Sequence, residues 1–180
     1  TIRGKDEGGG WDGEETARIS RLIRLGPCAD YLDIELETWR RSANIRQKVG
    51  LALHRPAQHG TTPEMLRSAQ HDTTPRALIL SSHDFSGRPV DLYQRIEAMT
   101  AASACRVVKI VWTARSLRDN LEAFEVLAQK HKPTIALCMG EAGLPSRVLA
   151  GKFGALLTFA ALESGSETAP GNWSSPRMAL

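Results

Sequence analysis

Two short apolar stretches, ALILSSH at residues 77–83 and RVVKIVW at residues 106–112, each predict a buried β-strand. Helical periodicity over residues 90–102 lies between them, and the same order continues with a helix at 116–130 and a strand at 134–139. Strands that alternate with helices in this way indicate parallel strands joined by crossover helices. This part of the chain therefore predicts an α/β fold.

Further elements extend the alternation in both directions. Strands are also predicted at residues 1–3, 30–36 and 155–160, and helices at 12–25, 39–53 and 146–153. The prediction thus contains six strands. Residues 54–76 differ from the rest because they are polar and nearly repeat themselves. We predict that they form a surface insertion with weak structure.

The periodicity fits two architectures, an open doubly wound sheet and part of a (β/α)8 TIM barrel. Polar residues favour the barrel, because Arg3, Asp33, Glu35, His83 and Lys109 all fall in or at the ends of several different strands. Barrels collect function at the C-terminal ends of many strands. An open sheet concentrates it at one switch point, usually beside a glycine-rich phosphate turn. The sequence contains neither GxGxxG nor a P-loop pattern.

Composition limits the partners that the chain could have. Its 180 residues suffice for one domain, and a formal net charge of +3 is too small to argue for nucleic acid or an anionic membrane. No apolar run reaches the length of a membrane span. Three well-separated cysteines, Cys28, Cys105 and Cys138, fit reduced thiols better than disulfides. We therefore expect a cytoplasmic protein without a nucleic-acid or membrane partner.

Lys109 is the first candidate for chemistry. Alternation along the strand places Val107, Lys109 and Val111 on one face, which would surround the amine with apolar side chains in a barrel interior. Burial lowers the pKa of a lysine, and a neutral amine can attack a ketone. The spacing alone equally allows a lysine that reaches solvent or forms a salt bridge.

Other polar residues admit two interpretations each. His83, at a strand end, suits general acid–base chemistry but also an ordinary strand–loop junction. Arg147, at the start of the predicted helix, suits a carboxylate site but also an exposed helix position. Asp33 and Glu35 share a strand face, either as an acid pair in the barrel mouth or as partners of buried arginines. We favour the second interpretation for these two carboxylates.

Seven stretches, in this order along the chain, resemble type I 3-dehydroquinate dehydratases. They are TIRGKDEGG (1–9), DIEL (33–36), SHDF (82–85), VKI (108–110), MGEAGLPSR (139–147), FGALLTF (153–159) and TAPG (168–171). Each is weak alone, but all seven fall on the expected elements. The resemblance covers residues 1–171, interrupted by the insertion.

This resemblance implies a (β/α)8 barrel and the dehydration of 3-dehydroquinate to 3-dehydroshikimate in the shikimate pathway. The reaction of this carbon–oxygen lyase passes through a lysine Schiff base and uses no metal or cofactor. Lys109 matches the Schiff-base lysine, His83 the general acid–base histidine, and Glu7 the acidic residue that pairs with that histidine. The positions that match substrate-binding residues are Arg3, Arg147, Thr168 and Asn172.

The sequence also departs from the family. We expect a barrel domain at residues 1–172 with about six of the eight βα units of a complete barrel, because the first two strands are missing. The tail at 173–180 does not match the family's last helix, and Asn172 replaces a glutamine. We expect the chain as given not to turn over. The alternatives are another Schiff-base barrel lyase or aldolase and a non-catalytic remnant; a homodimer stays open.

Overall fold

A computed structural model describes residues 2–25, 29–53 and 77–160 of the chain. Among these residues four parallel strands form one sheet: β1 (Tyr31–Glu35), β2 (Ala77–Asp84), β3 (Cys105–Thr113) and β4 (Thr134–Met139). Each strand pairs with the next one along the chain, in the order β1-β2-β3-β4. The order does not reverse at any switch point, and this is the topology of a barrel wall.

Helices connect the strands and cover one face of the sheet. They are α1 (Glu15–Leu25), α2 (Leu36–Arg41), α3 (Ala43–Leu53), α4 (Leu92–Ala101), α5 (Asp119–Ala128) and α6 (Leu144–Val148). The main core lies between these helices and the strand residues of one parity, such as Leu80, Ile110 and Trp112. No helix in the described ranges combines the length and the apolar character required to cross a bilayer.

The opposite face of the sheet carries a second, smaller apolar cluster. Its buried members are Ile79, Val107, Val111, Ile135, Leu137 and Met139. Because side chains alternate along a strand, the side chains of Lys109 and His83 lie on this same face. The interior of a small barrel is filled in this way, by inward-facing side chains of successive strands.

The helix predicted over residues 39–53 is two helices, which meet at Ser42. Ser42 has extended backbone angles, φ −134° and ψ 111°, and its hydroxyl accepts the backbone N–H of Ile45 at 3.2 Å. A serine in this position caps a helix N-terminus and satisfies one of the free N–H groups there. The prediction of one helix was wrong because the spacing of apolar residues gives no information about this cap.

The strands predicted at both chain ends are also wrong where the structure describes them. Residues 2–3 and 155–160 have no strand conformation, so the described ranges hold four strands instead of six. A strand requires a continuous ladder of backbone hydrogen bonds to its neighbour. Leu156 donates one backbone hydrogen bond to Thr134 at the start of β4, and one bond does not make a ladder. The insertion at 54–76 and the tail at 173–180 lie outside the described residues.

A buried ion-pair network anchors the N-terminal segment to the sheet. Arg18 on α1 is 1% exposed and donates to Glu35 at 2.7 and 2.8 Å and to Glu15 at 2.8 Å. Glu35 also accepts the backbone N–H of Gly4 at 3.2 Å, and Arg18 donates to the carbonyl of Ile2. The network therefore joins α1, β1 and the segment that precedes them.

We expect Arg18→Met to lower the free energy of unfolding by about 3–5 kcal/mol, because it leaves the buried Glu35 carboxylate without its main partner. Arg21→Met on the exposed side of the same helix should change it by less than about 0.5 kcal/mol. Urea denaturation of the two variants beside the unmodified chain measures both effects. Equal stabilities for the two variants would contradict the structural importance of this network.

Candidate active site

The N-terminal segment presents two side chains to the ends of β1 and β2. A 3-10 turn at Lys5–Glu7 is followed by Gly8, whose φ of +78° favours glycine. A Cβ atom on Gly9 would lie 2.0 Å from the carbonyl oxygen of Arg3, so only glycine allows this close approach. The turn folds back on itself and directs Arg3 and Glu7 towards the same region.

A buried carboxylate lies between two cations on the inner face of the sheet. Asp33 on β1 accepts from Lys109 Nζ at 2.9 Å and from Arg3 Nη2 at 3.0 Å, both through Oδ2. Its Oδ1 accepts the hydroxyl of Ser81 at 2.5 Å. Lys109 is 6% exposed and Asp33 8% exposed, so the charges interact with little screening by solvent.

Opposing effects act on the pKa of Lys109, and their net result is a lowered value. Burial lowers the pKa of Lys109 and the positive charge of Arg3 lowers it further, although Asp33 acts in the opposite direction. Burial alone would raise the pKa of Asp33, but Lys109 and Arg3 bring it down to about 2. The carboxylate thus stays ionised at any physiological pH, while the amine loses its proton more readily than an exposed lysine.

His83 on β2 lies within reach of both N-terminal side chains. Its Nδ1 is 2.8 Å from Glu7 Oε2 and 2.8 Å from Arg3 Nη1, and its backbone N–H donates to Glu7 at 3.1 Å. Burial and the charges of Arg3 and Lys109 lower the pKa of His83 to about 2, so the ring is neutral. Burial and the charge of Glu35 raise the pKa of Glu7 to about 8.

Arg147 is linked to Lys109 by Phe159, which contacts both side chains. It is 2% exposed, and its Nη1 donates to the carbonyl of Phe159 at 3.4 Å. The ring of Phe159 lies 4.7 Å from Lys109 Nζ, within the range of a cation–π contact. Arg147 lies near the end of the five-residue α6 instead of opening a helix, because Leu144 and Pro145 begin it. The N-terminus of a helix therefore does not add to the binding of an anion by Arg147.

A cavity of about 650 Å³ opens beside His83 and Glu7. This volume is in the range of about 300–1,000 Å³ that small-molecule sites occupy. Charged side chains from four further elements also line it, among them Arg18, Glu35 and Arg95, whereas Lys109 is not one of its lining residues. Within the described ranges, no group of three or more histidine, cysteine or acidic side chains could hold a metal ion.

Most of the sequence-predicted site residues come together in the structure. Those that contact one another directly or through Asp33 are Arg3, Glu7, His83 and Lys109. Thr168 and Asn172 lie outside the described residues. Sequence reasoning missed Ser81 and Phe159. Ser81 shares the strand parity of His83, and Phe159 ends the stretch at 153–159, so both signals were present.

Comparison with known proteins identifies the family. Residues 1–179 match the family model described as type I 3-dehydroquinase. The chain belongs to the type I 3-dehydroquinase family. This family assignment confirms the resemblance that the seven sequence stretches indicated.

Relatives of this type I 3-dehydroquinase chain occur in plants and archaea. The bifunctional 3-dehydroquinate dehydratase/shikimate dehydrogenase of Arabidopsis thaliana is 33% identical over 181 residues, which cover 95% of this chain and 25% of the relative. The 3-dehydroquinate dehydratase of Pyrobaculum aerophilum is 31% identical over 176 residues, which cover 95% of this chain and 48% of the relative. The chain thus spans half or less of the length of these two relatives.

Solved structures of the family show the same fold. The type I 3-dehydroquinate dehydratase of Clostridium difficile matches with a TM-score of 0.73 at 22% identity, over 98% of this chain and 64% of that one. The enzyme of Geobacillus kaustophilus matches with a TM-score of 0.71 at 23% identity, over 99% and 63%. The four-stranded sheet is therefore part of a type I dehydroquinase TIM barrel, and the predicted barrel is confirmed.

Glu7 should make stability depend on pH. Folding raises its pKa from 4.5 to about 8, so the folded chain keeps a proton that the unfolded chain has released above pH 4.5. The contribution of this proton to the free energy of unfolding is therefore complete below pH 4.5 and is lost as the pH rises through 8. The loss has a limiting slope of about 1.4 kcal/mol per pH unit. Glu7→Gln should lack this component when urea denaturation is measured between pH 6 and pH 9.

Glu37→Gln is the matched control, because the Glu37 side chain on α2 is 54% exposed and lies on the surface. Its stability should follow the pH dependence of the unmodified chain. Parallel curves for the unmodified chain and Glu7→Gln would show that Glu7 does not take up a proton on folding.

Proposed function

We propose that this chain carries the catalytic groups of a 3-dehydroquinate dehydratase, a carbon–oxygen lyase that converts 3-dehydroquinate to 3-dehydroshikimate. The observation that carries the proposal is the buried Lys109 amine, which shares one face of a parallel sheet with the ring of His83. Arg3 and Asp33 connect the two side chains through contacts of 2.8–3.0 Å. Membership of the type I 3-dehydroquinase family supports the same reaction.

Lys109 is the proposed nucleophile. The neutral amine forms a bond to the ketone carbon of the substrate, and the carbonyl oxygen leaves as water with the two amine protons. A proton taken up from solvent by the imine nitrogen, and returned on hydrolysis, gives the iminium. The resulting iminium withdraws electrons from the neighbouring carbon and makes its proton far more acidic. His83 accepts this proton and later gives one to the departing hydroxyl, which leaves as a second water molecule. Hydrolysis of the imine then consumes one water molecule and releases the enone.

The remaining charged residues are proposed to hold the substrate and the base. Glu7 pairs with the ring of His83, and general acid–base help of this kind contributes about 10²–10⁴-fold. Arg3 and Arg147 provide guanidinium groups for an anionic substrate, with Arg147 taking the carboxylate. Thr168 and Asn172, which lie outside the described residues, are proposed as further substrate contacts on the basis of the sequence resemblance.

The biological setting is also part of the proposal. We infer a small-molecule substrate, a cytoplasmic location and a role in aromatic amino acid biosynthesis, with a barrel domain at residues 1–172. The low net charge of +3 supports the absence of a nucleic-acid partner. A homodimer is consistent with the proposal but is not required by it.

The chain should form a covalent adduct with 3-dehydroquinate at Lys109. Borohydride reduces an imine to a stable secondary amine, so incubation with both reagents followed by peptide mass spectrometry locates the modified residue. We expect one adduct, on the peptide that contains Lys109, and none in Lys109→Ala. Lys48→Ala, which removes an exposed lysine of α3, should leave the adduct unchanged.

The same experiment separates the alternatives. If the chain turns over, contrary to the expectation from its sequence, His83→Asn should still form the adduct but lose the rise in enone absorbance. His131→Asn at an exposed position should then retain that rise. Loss of Lys109 should reduce turnover more than Glu7→Gln does. An adduct without any enone would indicate a remnant or another Schiff-base lyase. The absence of an adduct on Lys109 would contradict the proposed function.

A further inference from the structure

The ring of Phe159 lies beside the reacting nitrogen of Lys109. Its centroid is 4.7 Å from Nζ, well inside the limit of about 6 Å for a cation–π contact. A cation is attracted to the face of an aromatic ring because the π electrons give that face a partial negative charge. Phe159 therefore acts on the same nitrogen that pairs with Asp33 at 2.9 Å.

Several contacts fix the segment that carries this ring. Leu156 donates its backbone N–H to the carbonyl of Thr134 at 2.9 Å, and Leu157 packs against the apolar cluster on the inner face of the sheet. Arg147 Nη1 donates to the carbonyl of Phe159 at 3.4 Å. Phe159 itself is 38% exposed, so changes to its ring should disturb the buried core little.

Conversion of the Lys109 amine to an iminium changes what its surroundings must supply. The ammonium form carries three N–H groups, whereas the iminium nitrogen is bonded to two carbons and carries one. Asp33, which accepts from Nζ at 2.9 Å, can accept that single N–H. The positive charge is then shared with the substrate carbon, which has no N–H to donate. The face of a ring can stabilise such a charge, because it attracts a cation without needing a hydrogen-bond donor.

We propose that Phe159 is a catalytic residue whose ring stabilises the protonated form of the imine on Lys109. The inference deepens the proposed function and rests on it, because the imine forms only if Lys109 is the nucleophile. The imine nitrogen takes its proton from solvent and returns it on hydrolysis, and the ring is unchanged, so no further reactant is required. The protonated form is the one that withdraws electrons, so the ring favours removal of the neighbouring proton.

Fluorination of the Phe159 ring separates its charge from its shape. Phenylalanines with one, two or three fluorine atoms can be placed at this position by nonsense suppression. Each fluorine weakens the negative charge on the face of the ring with little change in its size. The charged side chains that act on the pKa of Lys109, namely Asp33, Arg3 and Glu7, stay in place.

Phe153 is the matched control position. Its ring stacks on Phe124 with 3.9 Å between the two centroids, and it packs against the main core between sheet and helices. The same fluorine series at Phe153 should therefore not act on Lys109. A response as large as that at Phe159 would show that fluorine acts through a general effect and would overturn the proposal.

The imine can be titrated in the chain labelled with ¹⁵N-lysine. The His83→Asn background holds the reaction at the imine with 3-dehydroquinate, because it lacks the base that removes the neighbouring proton. The ¹⁵N chemical shift of Nζ distinguishes an iminium from a neutral imine, and a pH series gives the acid dissociation constant of the iminium. We expect this constant to rise by about 2- to 30-fold over the fluorine series at Phe159.

The substrate-free chain provides a second measurement, because the Lys109 ammonium is also a cation beside the ring. Its acid dissociation constant, measured by NMR with ¹³C-lysine labelling, should rise along the same series at Phe159. An unchanged constant in either measurement would overturn the role of the ring and leave the proposed function intact. If no imine forms on Lys109 in any of these chains, the proposed function fails and this inference fails with it.

Discussion

The Asp33 carboxylate is the interaction on which the arrangement of the site depends. It is buried between Lys109 and Arg3 and accepts the hydroxyl of Ser81 with its other oxygen. The pairing lowers the pKa of Asp33 to about 2 despite burial, so a negative charge is always present there. Because this charge orients Arg3, it also determines what lies beside Nδ1 of His83.

Two opposing electrostatic effects act on Lys109 as a consequence. Burial and the charge of Arg3 favour the neutral amine, whereas the ion pair with Asp33 favours the cation. A nucleophile needs both properties, since the ion pair positions the amine and the burial makes its proton easy to lose. The ion pair between Arg18 and Glu35 acts on Lys109 indirectly, because it anchors the segment that carries Arg3.

Alternation along β3 was enough to predict that Val107, Lys109 and Val111 share a face, because side chains in a strand follow a period of two residues. The barrel followed from polar residues on several strands. The break at Ser42 could not be predicted in this way, since a cap depends on one local hydrogen bond. Neither could the contact between Arg147 and Phe159, because tertiary packing brings these two residues together. The individual roles in catalysis stay predictions, whereas the family is established.

A titration of Lys109 measures directly how its buried surroundings act on the amine. A ¹³C-lysine-labelled chain can be titrated by NMR, with the Lys109 signal assigned from Lys109→Ala. We expect Lys109 to titrate below the ordinary lysine value of 10.5, and Asp33→Asn to lower its pKa further. A pKa of 10.5 or higher for Lys109 in the folded chain would show that burial and Arg3 do not outweigh the ion pair with Asp33, and that the surroundings do not activate the amine.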